Sequence, residues 1–218
     1  MAGRAARADQ ASATREAILD TAERLFAEQG VYAVSNRQVS EAAGQGNNAA
    51  VGYHFGTKAD LVRAIAARHF ERIEEIRVRL LTAAGDTDAV RDRVDCLVRP
   101  ITEHLASLGS PTWYARFCAQ VATDPALYEI MVEESLASPS LREAVAGLVR
   151  CLPELPADVR AERGQMARTL ILHTCAERER ALAEGTGTPR ATWSDAATGL
   201  TDALLGLWLA PVTATRRS

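Results

Sequence analysis

The chain has 218 residues, 47% of them apolar and 24% charged, with a formal net charge of −3. That length and apolar content support a sizeable core and exclude disorder for the bulk of the chain. No run approaches the apolar length of a membrane-spanning helix, and the first ten residues alternate alanine with arginine instead of forming a secretory signal. Four cysteines (Cys96, Cys118, Cys151, Cys175) stand far apart without paired spacing, which excludes a zinc ribbon or a disulfide framework. A soluble, cytoplasmic protein is the expectation. The near-neutral balance leaves any nucleic-acid role to local residues.

In chain order, residues 1–13 read as a flexible arm. Ile18, Leu19, Ala22, Leu25 and Phe26 then form one face of a helix from about Thr14 to Gln29, ended by Gly30. Ser35 with Gln38 is a capping box that opens a short helix carrying Val39, Ala42 and Ala43. Gly44-Gln45-Gly46 breaks it, and a further short helix covers about 48–54, closed by Phe55-Gly56. Thr57 with Asp60 is a second capping box, starting a long helix with Leu61, Ile65 and Ile76 at helical spacing. The pattern loosens at 82–85, which reads as a hinge.

Downstream, helices are predicted over 88–108, 112–123, 126–136, 140–151, 157–184 and 192–209, with prolines at several of their starts. No alternating strand and no hairpin signal occurs. The fold class is therefore all-α: a helix-turn-helix head over 14–60 and a larger helical body over 61–218. A short helix, a glycine-containing turn and another short helix are what place a recognition helix in the DNA major groove.

The residues themselves support this. Ala43-Gly44 through Ala50-Val51, then Tyr53-His54-Phe55-Gly56-Thr57-Lys58-Ala59-Asp60-Leu61, resemble the TetR family of transcriptional regulators. Thr14 to Leu19 and Leu25-Phe26 resemble that family's first helix. The resemblance covers roughly residues 14–65 and implies binding to a double-stranded DNA operator. It implies that Tyr53 offers its hydroxyl to a phosphate and that Arg37 touches DNA. Lys58, the only lysine among 25 basic residues, is expected to face phosphate from the first turn of its helix. Base reading falls to Asn47, Asn48, Ala49, Gly52 and His54, since asparagine can pair bidentately with adenine and small residues admit close approach; for His54 a packed or phosphate-facing role is the stronger alternative.

Two features complicate that reading. The stretch from Gly44 to Lys58 is one residue longer than the family's commonest pattern, so either Asn47 or Asn48 could cap the helix while the other reads bases. Up to Lys58 the chain also carries six basic and six acidic residues. Glu16, Asp20, Glu23, Glu28 and Glu41 must then point away from phosphate. Gly44-Gln-Gly46-Asn-Asn-Ala49 spells a dinucleotide-binding pattern, but it follows a helix where that motif requires a strand.

In the body, Gly199, Ala203, Gly206 and Ala210 form a stripe of small residues beside Leu200, Leu204, Leu207 and Trp208. Such a stripe lets another helix approach closely, either inside the subunit or across a homodimer. The resemblance implies a ligand chamber, for which His104, Trp113, Arg116, Phe117, Tyr128, Met131 and His173 are the candidates; ordinary core is the alternative for each. No metal or cofactor is expected, and no nucleophile–base pair is visible. The functional expectation is a homodimeric repressor released by a small apolar or amphipathic effector. The rival is an all-helical small-molecule-binding protein or enzyme whose head no longer binds DNA.

Overall fold

A computed structural model describes residues 2–47 and 49–213. Among them are ten helices and no strand: α1 (Ala2–Gln29), α2 (Asn36–Ala42), α3 (Ala50–Phe55), α4 (Lys58–Ala84), α5 (Val90–Leu108), α6 (Tyr114–Val121), α7 (Pro125–Ala137), α8 (Pro139–Cys151), α9 (Ala157–Ala183) and α10 (Trp193–Leu209). The all-α reading holds. Among the described residues, no helix is long and apolar enough to cross a membrane.

The chain divides into two compact units. The first runs to Glu71 and also includes Pro111–Ser135; the second holds Arg72–Ser110 and the chain from Leu136 onward. This departs from a boundary at residue 60. In the first unit, α1 packs against α6 and α2, and α2 against α3. The expected apolar faces meet there: Ile18, Leu19, Ala22, Phe26, Val39, Val51, Leu61 and Ile65 are buried. They are joined by Tyr114, Phe117 and Val121 of α6. Phe117 stacks on Phe26 and on Tyr114, with ring centroids 6.4 Å apart in each case. The two residues that end the expected hinge, Ala84 and Gly85, close α4, and the division between units falls earlier, within that helix.

Residues 2–13 are also helical and continuous with the rest of α1, where a flexible arm was expected. They contain six alanines and two arginines, good helix formers that extend an already nucleated helix without needing an apolar face.

In the second unit, α5 packs against α8 and α10, and α10 against α9. Two buried arginines of α9 hold the ends of α10. Arg163 donates to the carbonyls of Trp208 (2.8 Å) and Ala210 (2.7 Å), two of the acceptors left over at a helix C-terminus. Arg178 donates to Arg190 (2.7 Å) and Ala191 (3.1 Å) just before α10, and its guanidinium lies over the Trp193 ring. These contacts fix how α10 lies along α9.

Candidate nucleic-acid interface

The head is assembled by local bonds that its sequence specifies. Ser35 Oγ accepts from Gln38 N, and the Gln38 side chain accepts from Ser35 N at 2.8 Å, so the first capping box is formed. At the other end of α2, Gly44 N donates to Glu41 O and Gln45 N to Ser40 O, both at 3.0 Å. That paired arrangement needs a left-handed residue between its donors, which Gly44 supplies at φ +69°. Ser40 is fully buried and its hydroxyl oxygen accepts from Val51 N, tying α2 to α3. The second capping box, Thr57 with Asp60, starts α4.

Asn47 takes the turn role. Its side-chain oxygen accepts from Ala49 N at 2.9 Å and its carbonyl from Ala50 N at 3.0 Å, setting the entry into α3. Asn48, the other half of that alternative, lies outside the described residues. Ala49 and Gly52 are exposed, and a side chain added at Gly52 would meet only open space. Tyr53 is 84% exposed, far more than an aromatic ring of a small helical core would be. His54 is half-buried, its ring edge-on to Tyr53 with centroids 5.0 Å apart. Arg37 is exposed on α2 and donates to Glu41 at 2.7 Å.

Lys58 has partners inside the head. Its ammonium turns inward and donates to the carbonyls of Val31 (2.8 Å) and Val34 (2.6 Å). These lie in the connection between α1 and α2, so Lys58 bridges that connection to the start of α4. Tyr32 in the same turn has its ring 5.8 Å from the ammonium. Burial pulls the Lys58 pKa down from its ordinary value.

The acidic residues that troubled the charge balance are accounted for. Arg68 of α4 meets Asp20 at 2.5 Å, Glu23 at 2.6 Å and Glu16 at 3.7 Å. Glu28 pairs with Arg24 and Glu41 with Arg37. Five carboxylates are thus held by cations, and the exposed face of α3 contains no acidic residue.

The profile described as "Bacterial regulatory proteins, tetR family" matches residues 18–65. A second, "Tetracyclin repressor-like, C-terminal domain", matches residues 95–206, just over half of the chain. The chain belongs to the TetR family. Among solved structures, a TetR family transcriptional regulator, PfmR from Thermus thermophilus, aligns with a TM-score of 0.51 at 18% identity. The alignment covers 88% of this chain and 96% of PfmR, and shows the shared fold. No curated protein matches the sequence significantly. This TetR-family protein is a transcriptional regulator whose head is a helix-turn-helix.

The remaining candidate residues divide between the units of this regulator. In the first unit, Trp113, Arg116, Tyr128 and Met131 are half-buried on α6, α7 and their approach. Arg116 donates to Thr112 O at 2.7 Å. Phe117 is fully buried between Phe26 and Tyr114. In the second unit, His104 is buried on α5, whereas His173 is exposed on α9. His173 shares a groove with Leu170, Arg178, Gly199, Leu200 and Ala203. Ala203, Gly206 and Ala210 are exposed, and Gly199 is half-buried. A side chain added at Gly206 would meet nothing within 4 Å, so this part of the stripe is not packed inside the subunit.

Sequence reasoning missed the cluster of Glu23, Arg68, His69 and Tyr114. His69 is buried and its Nε2 lies 2.8 Å from Glu23. Burial would raise the Glu23 pKa, but His69 and Arg68 together outweigh it and hold the carboxyl below the ordinary range. The only sequence signal for this cluster was Glu23 on the same helix as a strongly apolar face.

Proposed function

We propose that this regulator binds a pseudo-palindromic operator as a homodimer, represses the adjacent gene, and is released by a small apolar or amphipathic effector. The observation that carries the proposal is the α3 surface, where Gly52 and an 84%-exposed Tyr53 stand together with no carboxylate among them. A bare backbone admits close approach to base edges, and a phenol beside it suits a phosphate oxygen. Ala49, His54 and Arg37 complete the candidate contact set, with Arg37 exchanging Glu41 for phosphate. Such a protein acts where the chromosome is, in the cytoplasm.

The homodimer reading rests on α9 and α10. Met166, Leu170 and Leu209 are exposed, as are Ala203, Gly206 and Ala210. An apolar face of this kind is a partner surface, and two-fold closure is the common solution for identical subunits. It also suits two heads on two half-sites.

For the effector, Trp113, Arg116, Tyr128 and Met131 are the candidates. Trp113 and Arg116 flank the α6 residues Tyr114 and Phe117, whose rings pack on α4 and α1. A ligand that displaces α6 therefore shifts the packing of α1 and biases the head toward a form with lower operator affinity. Enrichment of random-sequence duplexes by the intact chain tests the proposal. Recovery of an inverted repeat is the expected result; recovery of no preferred sequence would overturn it.

A further inference from the structure

We infer that Tyr32 and Arg63 are positioning residues for the candidate recognition helix: they tie both ends of α7 to the elements that flank α3, so that the state of α7 and the seating of α3 are linked. The inference rests on the DNA-binding reading of the head and adds two residues that do not themselves face a base. Tyr128 and Met131, two of the effector candidates, stand on α7 between the two ties.

Asp124, just before α7, has two tasks. Its Oδ1 accepts from Leu127 N at 2.8 Å, which caps the helix. Its carboxylate also accepts from the Tyr32 hydroxyl in the connection between α1 and α2. Towards the other end of the helix, Glu134 Oε1 lies 3.2 Å from Arg63 Nε of α4. Arg63 also pairs at 2.9 Å with Asp60, the carboxylate of the capping box that starts α4. All of these residues belong to the first unit.

Both points of attachment adjoin α3. The α1–α2 connection leads into α2, whose Ser40 hydroxyl oxygen accepts from Val51 N of α3. Lys58, the first residue of α4, holds the same connection through the carbonyls of Val31 and Val34. Only Gly56 and Thr57 separate the end of α3 from Lys58. A displacement at Tyr32 or Arg63 therefore acts on the flanks of α3.

The packing of α7 suits a part that moves. Up to Ser135 it buries only Leu127, while Tyr128, Ile130, Met131 and Val132 are half-buried. Five of the eight residues of α6 are buried by comparison. A helix with so little buried apolar surface belongs to the low end of local stability. The ties themselves are accessible to water, with Tyr32 68% exposed, and such polar pairs add little to the stability of a fold. They can open and close while the core of α1, α4 and α6 stays intact.

Linkage is reciprocal: if α7 biases α3, then DNA bound at α3 biases α7. The test therefore needs no effector. It follows backbone hydrogen exchange across residues 125–135 of the intact chain, with and without the duplex that the chain enriches from random sequence. Exchange there is expected to slow by about fivefold or more when the duplex binds. Tyr32→Phe with Glu134→Ala is expected to abolish that slowing while the duplex still binds and the thermal midpoint holds. Each single substitution is expected to lose part of it, and Glu133→Ala, on the neighbouring residue, none. Unchanged exchange in the unaltered chain on binding, or full slowing in the double variant, would overturn the inference. If the unaltered chain enriches no duplex, the DNA-binding reading fails and the inference falls with it.

Discussion

The His69 imidazole lies face to face with the Tyr114 ring, 3.8 Å between centroids and 17° from parallel, so α4 and α6 are in direct aromatic contact. Tyr114 in turn stacks with Phe117, and Phe117 with Phe26 of α1. Four rings thus run from the middle of α4 through α6 to α1. Movement of α6 cannot leave α1 undisturbed, because both rings of α6 are buried in this stack.

Phe117 accordingly behaves as core. Phe117→Ala is expected to cost about 3–5 kcal/mol through lost burial and a residual cavity. Denaturant unfolding measures it. A loss well below that range, with a weakened effector response and intact DNA binding, would instead place the ring on a ligand chamber.

Acid sensitivity is expected to centre on Glu23. Its carboxyl is held below the ordinary range in the folded protein by His69 and Arg68, despite burial. The folded state therefore binds fewer protons than the unfolded one just below the ordinary glutamate pKa of about 4.3. The stabilisation is present above that pH and is lost as the pH falls through the depressed value. Unfolding of wild type and Glu23→Gln from pH 7 down to pH 3 should show a stability gap that narrows with acid. A gap independent of pH would contradict the assignment.

Lys58→Met should reduce stability by about 1–3 kcal/mol, since the Val31 and Val34 carbonyls lose their donor. The salt slope of DNA binding should stay unchanged. Unaltered stability together with a slope reduced by about 1 would return Lys58 to the phosphate interface.

Gly206→Leu separates fold from assembly. The site is exposed and open, so the subunit has no clash to absorb, and replacing a helical glycine adds up to about 1 kcal/mol of helix stability. Weaker dimerisation in sedimentation, with thermal stability of the subunit maintained or raised, is the expected outcome. An unchanged dimer would remove Gly206 from the interface.

How much of this was legible in the sequence follows from the range of the interactions. Both capping boxes of the head are local, with partners three residues apart, and both formed as read. The apolar face from Ile18 to Phe26 was equally plain, because its period is set within one helix. The start of α1 was not, since alanine and arginine give helix propensity without an apolar period. The hold of Lys58 on two carbonyls could not be read, because those partners lie 24 and 27 residues earlier in the chain. The association of α6 with the head was invisible for the same reason. It depends on which aromatic rings meet across distant helices, and spacing along one helix says nothing about its partner.

Hydroxyl-radical footprinting of the DNA upstream of the gene tests the central claim most directly. A dimer whose α3 helices enter successive major grooves should protect two patches related by two-fold symmetry, centred about 10–10.5 base pairs or a multiple of that apart. The protection should vanish for Tyr53→Ala with the fold intact. Absence of protection at low salt, or a single patch without symmetry, would contradict the account.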